Sequence, residues 1–379
     1  MAQVPSLASP KTAEEVVQTD LNYICKHLSE EFSALSSKNL LITGGAGFLG
    51  YYLVQAVLHW NKANPAAKPI HLTIYDNYIR GVPEWLTHLS GNPNLELLKH
   101  DITNPLPETI GNFQFIIHAA SIASPTFYRK YPIETMDANV NGLRFLLEYC
   151  LQQKAKGNPV EGFLFYSTSE IYGDPTPESI PTPETYRGNV SCTGPRACYD
   201  ESKRFGETLC VNFALQHDLP IKIARPFNNY GPGLKITDRR VLPDFARDIF
   251  NERDIVLLSD GSPTRTFCYI ADAIVGYYKV LVKGHPGESY NVGVETPEIS
   301  MANLAERVVG LARDLFDYRG QVVRRTSGDQ DYLIDNPNRR CPIIDKARDH
   351  VGYNPNITID DGLRRTIVWY SGNREAEDA

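Results

Sequence analysis

The stretch Leu40-Leu41-Ile42-Thr43-Gly44-Gly45-Ala46-Gly47-Phe48-Leu49-Gly50 decides the fold of this chain of 379 residues. An apolar, strand-forming run leads directly into closely spaced glycines, and an apolar helical pattern follows over 49–58. A strand that turns through glycines into a helix leaves bare backbone N–H groups at the helix N-terminus, where they suit a pyrophosphate. The glycines satisfy G-x-G-x-x-G in the strand–turn–helix context that makes this pattern informative. We therefore predict cofactor contacts at Gly44, Gly47, Phe48, Leu49 and Gly50.

An acidic residue ends the next predicted strand. Residues 70–76 read Ile-His-Leu-Thr-Ile-Tyr-Asp, and a polar insertion over 61–69 must form a loop. In dinucleotide-binding folds the acidic residue usually lies about 20 residues after the glycines. The insertion explains why Asp76 lies somewhat farther from them. A carboxylate here accepts both ribose hydroxyls and repels a 2′-phosphate, which favours NAD over NADP. Arg80 is a nearby cation that leaves NADP open, and Asp76 could instead cap the following segment.

The composition narrows the class of protein. The net charge of −7 and the pI of about 5.8 argue against a broad surface for nucleic acid or membrane, so we expect neither partner. The seven cysteines are odd in number and include no C-x-x-C pair, which indicates neither a disulfide framework nor a metal site. No apolar run reaches about 18 residues and the N-terminus lacks the apolar core of a signal peptide, which favours a cytoplasmic location.

The chain alternates between strand-like and helix-like segments. Strands are predicted over 40–43, 70–75, 95–99, 114–118, 161–167 and 219–224, and helices over 48–59, 134–154 and 199–216. This alternation predicts an α/β fold, a doubly wound parallel sheet (Rossmann) with a smaller C-terminal α/β substrate lobe. The predicted divisions are an N-terminal arm and helix over 1–37, an NAD-binding Rossmann domain over 38–228, a mostly substrate-binding lobe over 229–371 and a tail over 372–379.

The segment before the first strand carries its own helix signals. Thr12 and Glu15 form a capping-box pattern, and apolar residues recur at helical spacing from Val17 to Leu35. We expect this helix to pack on the body of the protein or on a partner subunit, after a disordered arm over 1–11. Residues 175–195 are rich in Pro, Thr, Ser and Gly, and they predict a long ordered loop of the kind that shapes a site.

A phenol and an ammonium share one face of a predicted helix. Tyr199 and Lys203 are four residues apart, and Thr168 follows the strand predicted over 161–167. The pKa of a free Tyr is about 10, and a neighbouring ammonium and a positive nicotinamide ring both favour the phenolate. Such a phenolate can remove the proton of a sugar hydroxyl while hydride leaves the same carbon. A solvated helix face is the alternative for this common spacing, and the upstream glycine loop favours catalysis.

These motifs carry a resemblance to a known family. The chain resembles an extended short-chain dehydrogenase/reductase, and specifically the UDP-glucuronate decarboxylase (UDP-xylose synthase) family. The matching stretches are 43–50, 118–121, 167–173, 194–201, 224–232 and 336–342, within a similarity that runs from about residue 38 to residue 371.

The resemblance implies a mechanism. Tyr199, assisted by Thr168 and Lys203, would deprotonate the C4 hydroxyl of UDP-glucuronate as hydride passes to NAD. The resulting β-keto acid would lose carbon dioxide, and hydride return to C4 would give UDP-xylose. Glu170 and Arg340 are similar to the pair that the family uses around the carboxylate and for enolate protonation. A carboxylate substrate needs such a cation for its placement.

The resemblance also implies binding contacts. Further cofactor contacts are expected at Asp101, Ile102, Ala120, Tyr199 and Lys203, and substrate contacts at Ser121, Ser169, Asn228, Arg240, Arg265 and Arg340. Arg240 and Arg265 could instead form surface salt bridges, which are the usual fate of an arginine. The helices over 134–154 and 199–216 would build a homodimer interface. His118 lies in an apolar strand, and we expect it to be a core histidine.

Two positions depart from the family pattern, and other functions stay open. Ser202 and Gly233 stand where decarboxylases usually have Gly and Arg, and the loss of that cation could change the sugar accepted. A nucleotide-sugar 4-epimerase shares the oxidation step. A 4,6-dehydratase typically has Thr-Asp-Glu where this chain has Thr168-Ser169-Glu170. A catalytically idle NAD-binding protein would be expected to lack an intact Tyr–Lys pair.

Overall fold

The computed structural model describes residues 9–325, 334 and 336–374. The strands of the main sheet are β1 (Asn39–Thr43), β2 (His71–Asp76), β3 (Leu95–Lys99), β4 (Phe115–His118), β5 (Gly162–Tyr166), β6 (Ile221–Pro226) and β11 (Ser289–Val292). Short strands outside it are β7 (Asn229–Tyr230), β8 (Ile255–Leu257), β9 (Thr264–Arg265), β10 (Cys268–Tyr269), β12 (Ile299–Ser300), β13 (Val322–Arg324) and β14 (Arg339–Arg340). The helices are α1 (Ala13–His27), α2 (Ser29–Leu35), α3 (Gly50–Ala63), α4 (Glu84–Leu89), α5 (Pro125–Lys130), α6 (Pro132–Asp137), α7 (Leu143–Ala155), α8 (Ala197–His217), α9 (Val241–Phe250), α10 (Ile270–Lys283), α11 (Met301–Phe316), α12 (Asp345–Val351) and α13 (Ile359–Gly372).

The main sheet is parallel and has the order β11-β6-β5-β4-β1-β2-β3. Strand β1 lies between β2 and β4, so the direction in which successive strands are added reverses at β1. Open α/β sheets bind their ligands in the crevice at the carboxyl ends of the strands beside such a reversal. The predicted fold class, a doubly wound parallel sheet, is therefore confirmed.

Both faces of the sheet are covered by helices. Leu40 and Ile42 in β1 pack into the cluster that contains α3 and α10, whereas Leu41 packs into the cluster that contains α7 and α8. Alternate residues of a strand point to opposite faces, so a strand that is apolar throughout is buried on both sides. This explains the continuous apolar run that precedes the glycines.

The turn after β1 requires glycine for two steric reasons. Gly44 has a φ of +74°, and a Cβ on it would lie 2.6 Å from the Cα of Ala120. A Cβ on Gly50 would lie 2.0 Å from the carbonyl oxygen of Gly45. The glycines therefore let β1 pass into α3 within a few residues, and they bring the loops after β1 and β4 into backbone contact.

The predicted N-terminal helix consists of two helices that pack on the body of the protein. Thr12 caps α1 by accepting a hydrogen bond from the N–H of Glu15 at 3.2 Å, as the capping-box pattern predicts. The helix is interrupted at Leu28, where φ is −116° and ψ is 19°, and α2 follows. Helix α1 packs against α3, α10 and α13.

The structure differs from the predicted boundaries in three places. A π-helical turn over Ala138–Gly142 separates α6 from α7 within the predicted helix over 134–154. Strand β11 belongs to the main sheet although it lies beyond residue 228, because it pairs with β6 over Ser289–Val292. Helix α13 continues through Gly372, into the predicted tail. The residues of the predicted arm over 1–8 and of the tail over 375–379 lie outside the described residues.

The C-terminal part of the chain adds small sheets beside the main one. Strands β12, β9 and β14 form one of them, and β10–β7 and β13–β8 form pairs. Strand β14 places Arg340 next to Arg265 in β9. The predicted ordered loop over 175–195 contacts this region, since the Thr182 N–H donates to the carbonyl of Cys341 at 2.7 Å.

Replacement of Gly50 by alanine tests the steric role of the turn. We expect Gly50→Ala to lower the free energy of unfolding by about 1–3 kcal/mol, because the added methyl group meets a backbone carbonyl that cannot move freely. Gly91→Ala is the matched control, since a Cβ at Gly91 meets no atom within 4 Å. The control is expected to stay within about 0.5 kcal/mol of the wild type in urea unfolding. Equal stability of both variants would contradict the steric argument.

Candidate active site

A cavity of about 1070 Å³ opens at the carboxyl ends of the main strands. The predicted site residues that line it are Gly44, Gly47, Phe48, Leu49, Asp76, Asp101, Ile102, Ala120, Ser121, Thr168, Ser169, Glu170, Tyr199, Lys203, Asn228, Arg240 and Arg340. Gly50 and Arg265 are not part of the lining. One continuous cavity thus brings together residues from six strand ends and from the later part of the chain.

The glycine turn offers a cradle that fits a dinucleotide. The N–H groups of Phe48 and Leu49, directly before α3, have no acceptor among the described residues and can bind phosphate, whereas that of Tyr51 already donates to the carbonyls of Gly47 and Phe48. Asp76 accepts hydrogen bonds from the N–H of Ala46 at 3.0 Å and of Tyr78 at 2.8 Å. Each carboxylate oxygen keeps a second lone pair for a ribose hydroxyl. Burial raises the pKa of Asp76 above its ordinary value.

Arg80 lines the same cavity, and its guanidinium is already paired with a carboxylate of the protein. Its guanidinium donates to the carboxylate of Asp238 at 2.6 Å and lies over the ring of Phe127, 4.6 Å from the centroid. Asp238 also pairs with Arg240 at 2.9 Å. The carboxylate of Asp238, which the sequence analysis missed, therefore places both arginines. This arrangement leaves Asp76 as the charged group at the end of β2 and agrees with NAD.

Asp101 and Ile102 line the cavity beyond β3. Burial acts to raise the pKa of Asp101, but hydrogen bonds from Asn77 at 3.0 Å and from Thr103 at 2.8 Å lower it overall. Ile102 packs against Gly142, where a Cβ would lie 2.8 Å from its side chain. The hydroxyl of Ser121 is buried and has no hydrogen-bond partner among the described residues. Such an orphaned polar atom on a cavity wall fits a bound ligand.

Tyr199, Lys203 and Thr168 converge in the cavity. The ammonium of Lys203 donates to the carbonyl of Tyr166 at 2.7 Å and lies 5.9 Å from the centroid of the Tyr199 ring. Burial raises the pKa of Tyr199 to about 12, whereas a hydrogen bond with Thr168 acts to lower it. Burial also lowers the pKa of Lys203 to about 7. The protein alone therefore keeps the phenol protonated, and the phenolate favoured by the sequence analysis requires a further positive charge.

A second phenol, missed in the sequence, stacks on Tyr199. The ring of Tyr128 lies 5.0 Å from that of Tyr199 at an interplanar angle of 9°. Within the part of the chain that the structure describes, its buried hydroxyl has no hydrogen-bond partner. Both rings line the cavity. The stacking fixes the plane of Tyr199, and no spacing pattern in the sequence indicates it.

Two guanidinium groups hold the carboxylate of Glu170. Arg340 binds it with both terminal nitrogens, at 2.7 and 2.6 Å, and Arg196 binds it at 2.7 Å. Burial acts to raise the pKa of Glu170, but the two arginines outweigh it and hold the pKa far below its usual range. Arg340 lines the cavity, whereas Arg196 lies behind it at the start of α8. Arg196 lies in the stretch 194–201 that matches the family, and no role was predicted for it from the sequence.

Arg265 does not line the cavity, although it lies next to Arg340 in the small sheet. Its guanidinium donates to the backbone carbonyls of Thr264 at 2.7 Å, Asn338 at 3.1 Å and Pro337 at 2.5 Å. These bonds hold the segment that leads to Arg340. Burial and the nearby Arg340 lower the pKa of Arg265 to about 9. Its expected phosphate contact stays a prediction, and the contacts seen are those of a residue that supports the loop.

The departures from the family pattern have structural explanations. The hydroxyl of Ser202 accepts a hydrogen bond from Asn139 at 2.9 Å and donates one to the carbonyl of Tyr199 at 3.0 Å. It therefore supports the first turns of α8. Gly233 has a φ of +93°, and a Cβ on it would lie 2.4 Å from the Cβ of Tyr51. A larger residue at 233 is therefore excluded by Tyr51.

His118 is a core residue, as the sequence analysis predicted. Its Nδ1 atom forms a hydrogen bond with the hydroxyl of Thr43 at 2.7 Å, and burial lowers its pKa to about 3. Within the part of the chain that the structure describes, no group of three His, Cys, Asp or Glu side chains is placed to bind a metal ion. None of the helices over residues 9–325 and 336–374 combines the length and the apolar character needed to cross a bilayer.

A seven-stranded parallel sheet, a glycine turn and a cavity-facing Tyr–Lys pair define a dinucleotide-binding protein of the extended short-chain dehydrogenase/reductase type. The chain belongs to the NAD dependent epimerase/dehydratase family, which matches residues 40–293. NAD is therefore the cofactor.

The curated relatives point to one branch of this family. UDP-glucuronic acid decarboxylase 3 of Arabidopsis thaliana is 36% identical over 324 residues, which cover 86% of each chain. UDP-glucuronic acid decarboxylase 1 of Xenopus tropicalis is 32% identical over 350 residues, which cover 91% of this chain and 74% of the relative. Among solved structures, an epimerase from Methanothermobacter thermautotrophicus has a TM-score of 0.76 at 27% identity and covers 92% of this chain and 97% of its own.

Removal of the charge of Glu170 tests the electrostatics of the site. We expect Glu170→Gln to lower the free energy of unfolding by about 3–5 kcal/mol at pH 7, because two buried guanidiniums lose their counter-charge. Glu148→Gln is the matched control, since Glu148 pairs with Arg144 on the surface, where such a pair contributes about 1 kcal/mol or less.

The lowered pKa of Glu170 also predicts how the stability lost in Glu170→Gln depends on pH. The folded-state pKa of Glu170 is depressed, so its contribution to stability is present above the unfolded-state pKa of about 4.3 and is lost as the pH falls below that value. The difference in urea unfolding between wild type and Glu170→Gln should therefore shrink from pH 7 to pH ~3.5. A difference that stays constant over this range would show that Glu170 does not act as a paired carboxylate.

Proposed function

We propose that this protein decarboxylates UDP-glucuronate to UDP-xylose through a 4-keto intermediate, with NAD as cofactor. The observation that carries the proposal is Arg340, a cavity-lining guanidinium beside the Tyr199–Thr168 pair, which suits a sugar that carries a carboxylate. The curated relatives named UDP-glucuronic acid decarboxylase support the same conclusion.

The first proposed step is proton removal from the C4 hydroxyl. Tyr199 accepts this proton, Thr168 hydrogen-bonds to the phenol, and Lys203 supplies positive charge from one helical turn away. Bound NAD supplies the hydride acceptor for C4 and a positive nicotinamide ring that favours the phenolate. The protein alone raises the pKa of Tyr199 to about 12. Loss of the phenol proton is therefore coupled to the presence of the cofactor.

The second proposed step is loss of carbon dioxide. With a ketone at C4, the bond between C5 and the carboxylate breaks and its electron pair forms an enolate on the C4 oxygen. Arg340 places the carboxylate, and a proton must then reach C5. Glu170 can donate this proton only after its bonds to arginine weaken, because it is ionised while Arg340 and Arg196 hold it. Return of hydride to C4 completes the reaction without net redox change.

The remaining predicted contacts belong to this proposal. We assign Asn228, Ser121 and Ser169, which line the cavity, to the substrate. Arg240 lies close enough to Tyr199 to lower its pKa. We assign Arg240 to the diphosphate, where its partner Asp238 fixes its position. Arg265 is included only as a support of the segment before Arg340.

One assay distinguishes the proposal from its alternatives. The protein is incubated with UDP-glucuronate and an amount of NAD far below the substrate, and products are followed by NMR together with carbon dioxide release. We expect UDP-xylose and one carbon dioxide per sugar consumed. UDP-galacturonate without gas release would indicate a 4-epimerase. Loss of water from UDP-glucose in a parallel incubation would indicate a 4,6-dehydratase, since that elimination needs a hydroxyl on C6.

Tyr199→Phe is the matched variant in this assay. It removes the proton acceptor but keeps the stacked ring, so we expect turnover to fall by at least ~100-fold while NAD still binds. NAD content of the purified variant, measured after denaturation, checks that the site is intact. Turnover by this variant near the wild-type rate would exclude Tyr199 as the base.

We also propose a cytoplasmic homodimer. Phe205 and Leu215 on α8 are 50% and 75% exposed, which is unusual for large apolar side chains on one helix. Light scattering is expected to give the mass of a dimer for the wild type and of a monomer for Phe205→Glu. Leu98→Glu, at a residue 37% exposed on edge strand β3, is the control and should stay dimeric. A monomeric wild type would remove this proposal.

A further inference from the structure

A carboxylate of the N-terminal helix is buried at the junction of three other elements. Asp20 in α1 is fully buried and accepts hydrogen bonds from the hydroxyl of Tyr52 at 2.6 Å, from the hydroxyl of Tyr269 at 2.5 Å and from the guanidinium of Arg365 at 2.8 Å. These donors belong to α3, β10 and α13. Burial raises the pKa of Asp20, although Arg365 and the two phenols act to lower it. A buried charge is costly unless such partners surround it.

The first donor connects Asp20 to the glycine turn. Tyr52 lies in the first turn of α3, directly after Tyr51, which lines the cavity. Helix α3 begins at Gly50, so its position fixes where the N–H groups of the cradle point. A hydrogen bond that holds the first turn of α3 therefore holds the expected pyrophosphate site.

The other two donors connect Asp20 to the far wall of the cavity. Tyr269 pairs in register with Tyr230, and their rings make an edge contact at 5.6 Å. Arg365 lies one helical turn before Trp369 in α13. Tyr230 and Trp369 both line the cavity. Asp20 thus joins the glycine-turn helix to the lobe that closes the opposite side.

Other polar contacts of the N-terminal segment run to α10. Tyr23 donates to Asp272 at 2.6 Å, and Glu31 pairs with Lys279 at 3.0 Å and with Lys283 at 2.9 Å. All three partners lie in α10 and attach the segment to the body of the protein. Glu31 is also buried, so it provides a matched acidic residue with a different set of neighbours.

We propose that Asp20 is a positioning residue for the cofactor: the N-terminal helix, which lies outside the family match over 40–293, braces the first turn of α3 against the substrate lobe and so strengthens NAD binding. Asp20 acts through Tyr52, Tyr269 and Arg365 and touches neither cofactor nor substrate. The inference rests on the NAD site of the proposed function, and it does not depend on which sugar is used.

The test compares NAD affinity in Asp20→Asn and Glu31→Gln. NAD is titrated calorimetrically into cofactor-free protein, thermal unfolding is recorded for each variant, and hydrogen exchange is measured over residues 47–54. We expect Asp20→Asn to raise the Kd for NAD by about tenfold, or ~1.4 kcal/mol, with faster exchange in the first turn of α3. The kcat at saturating NAD should stay within about twofold of the wild type, because the chemistry is untouched.

The control separates positioning from general stability. Glu31→Gln should lower the midpoint of thermal unfolding but leave the Kd for NAD within about twofold. Tyr52→Phe removes one donor to Asp20 and should also weaken NAD binding. If Asp20→Asn does not fold, the Kd of Tyr52→Phe for NAD tests the inference in its place. Combining Tyr52→Phe with Asp20→Asn should add little to the single variants, since both remove the same bond.

Three outcomes would overturn the inference. An unchanged Kd in folded Asp20→Asn or Tyr52→Phe would show that the brace does not reach the cofactor. An equal rise of Kd in Glu31→Gln would show that only stability matters. A loss of kcat at saturating NAD would place the effect in the chemistry. Failure of the wild type to bind NAD would instead overturn the cofactor site itself, and this inference with it.

Discussion

The close approach of two strand ends is the constraint on which the rest of the structure depends. The backbone at Gly44 lies against Ala120, where a Cβ would come within 2.6 Å, so the loops after β1 and β4 meet without side chains between them. Because β1 lies between β2 and β4, this contact occurs where the order of strands reverses. The cavity forms there, and the ends of the neighbouring strands, helix α8 and strand β14 supply its chemical groups. Glycine is therefore required at this turn both for the cavity to form and for the chain to pass from β1 into α3.

Burial determines the protonation of the groups that surround this contact. It lowers the pKa of Lys203 to about 7 and raises that of Tyr199 to about 12, because burial disfavours the charged form of each group. At Glu170, two arginines outweigh burial and keep the carboxylate ionised. The site thus holds a fixed negative charge at Glu170, between two guanidiniums, and disfavours charge at the Tyr199–Lys203 pair. This division follows from which side chains have a buried counter-charge.

Local patterns in the sequence were sufficient for the fold but not for all of the site. The apolar run before Gly44 predicted a buried parallel strand, and the spacing of Tyr199 and Lys203 predicted a shared helical face, because both depend on neighbours along the chain. The roles of Arg196, Tyr128 and Asp238 depend on contacts between distant segments, which no periodicity reports. Strand β11 was missed for the same reason: a short strand joins the sheet through its pairing with β6 rather than through its own pattern.

The contact between Gly233 and Tyr51 constrains how this sequence can change. A Cβ at 233 would lie 2.4 Å from the Cβ of Tyr51, so any side chain introduced there meets the aromatic residue before it reaches the ligand. The two positions are 182 residues apart in the chain, and every residue except glycine carries the Cβ that makes this contact, so an ordinary exchange at 51 does not remove it. The arginine typical of decarboxylases could therefore be restored at 233 only together with a shift of the backbone, whose φ there is +93°.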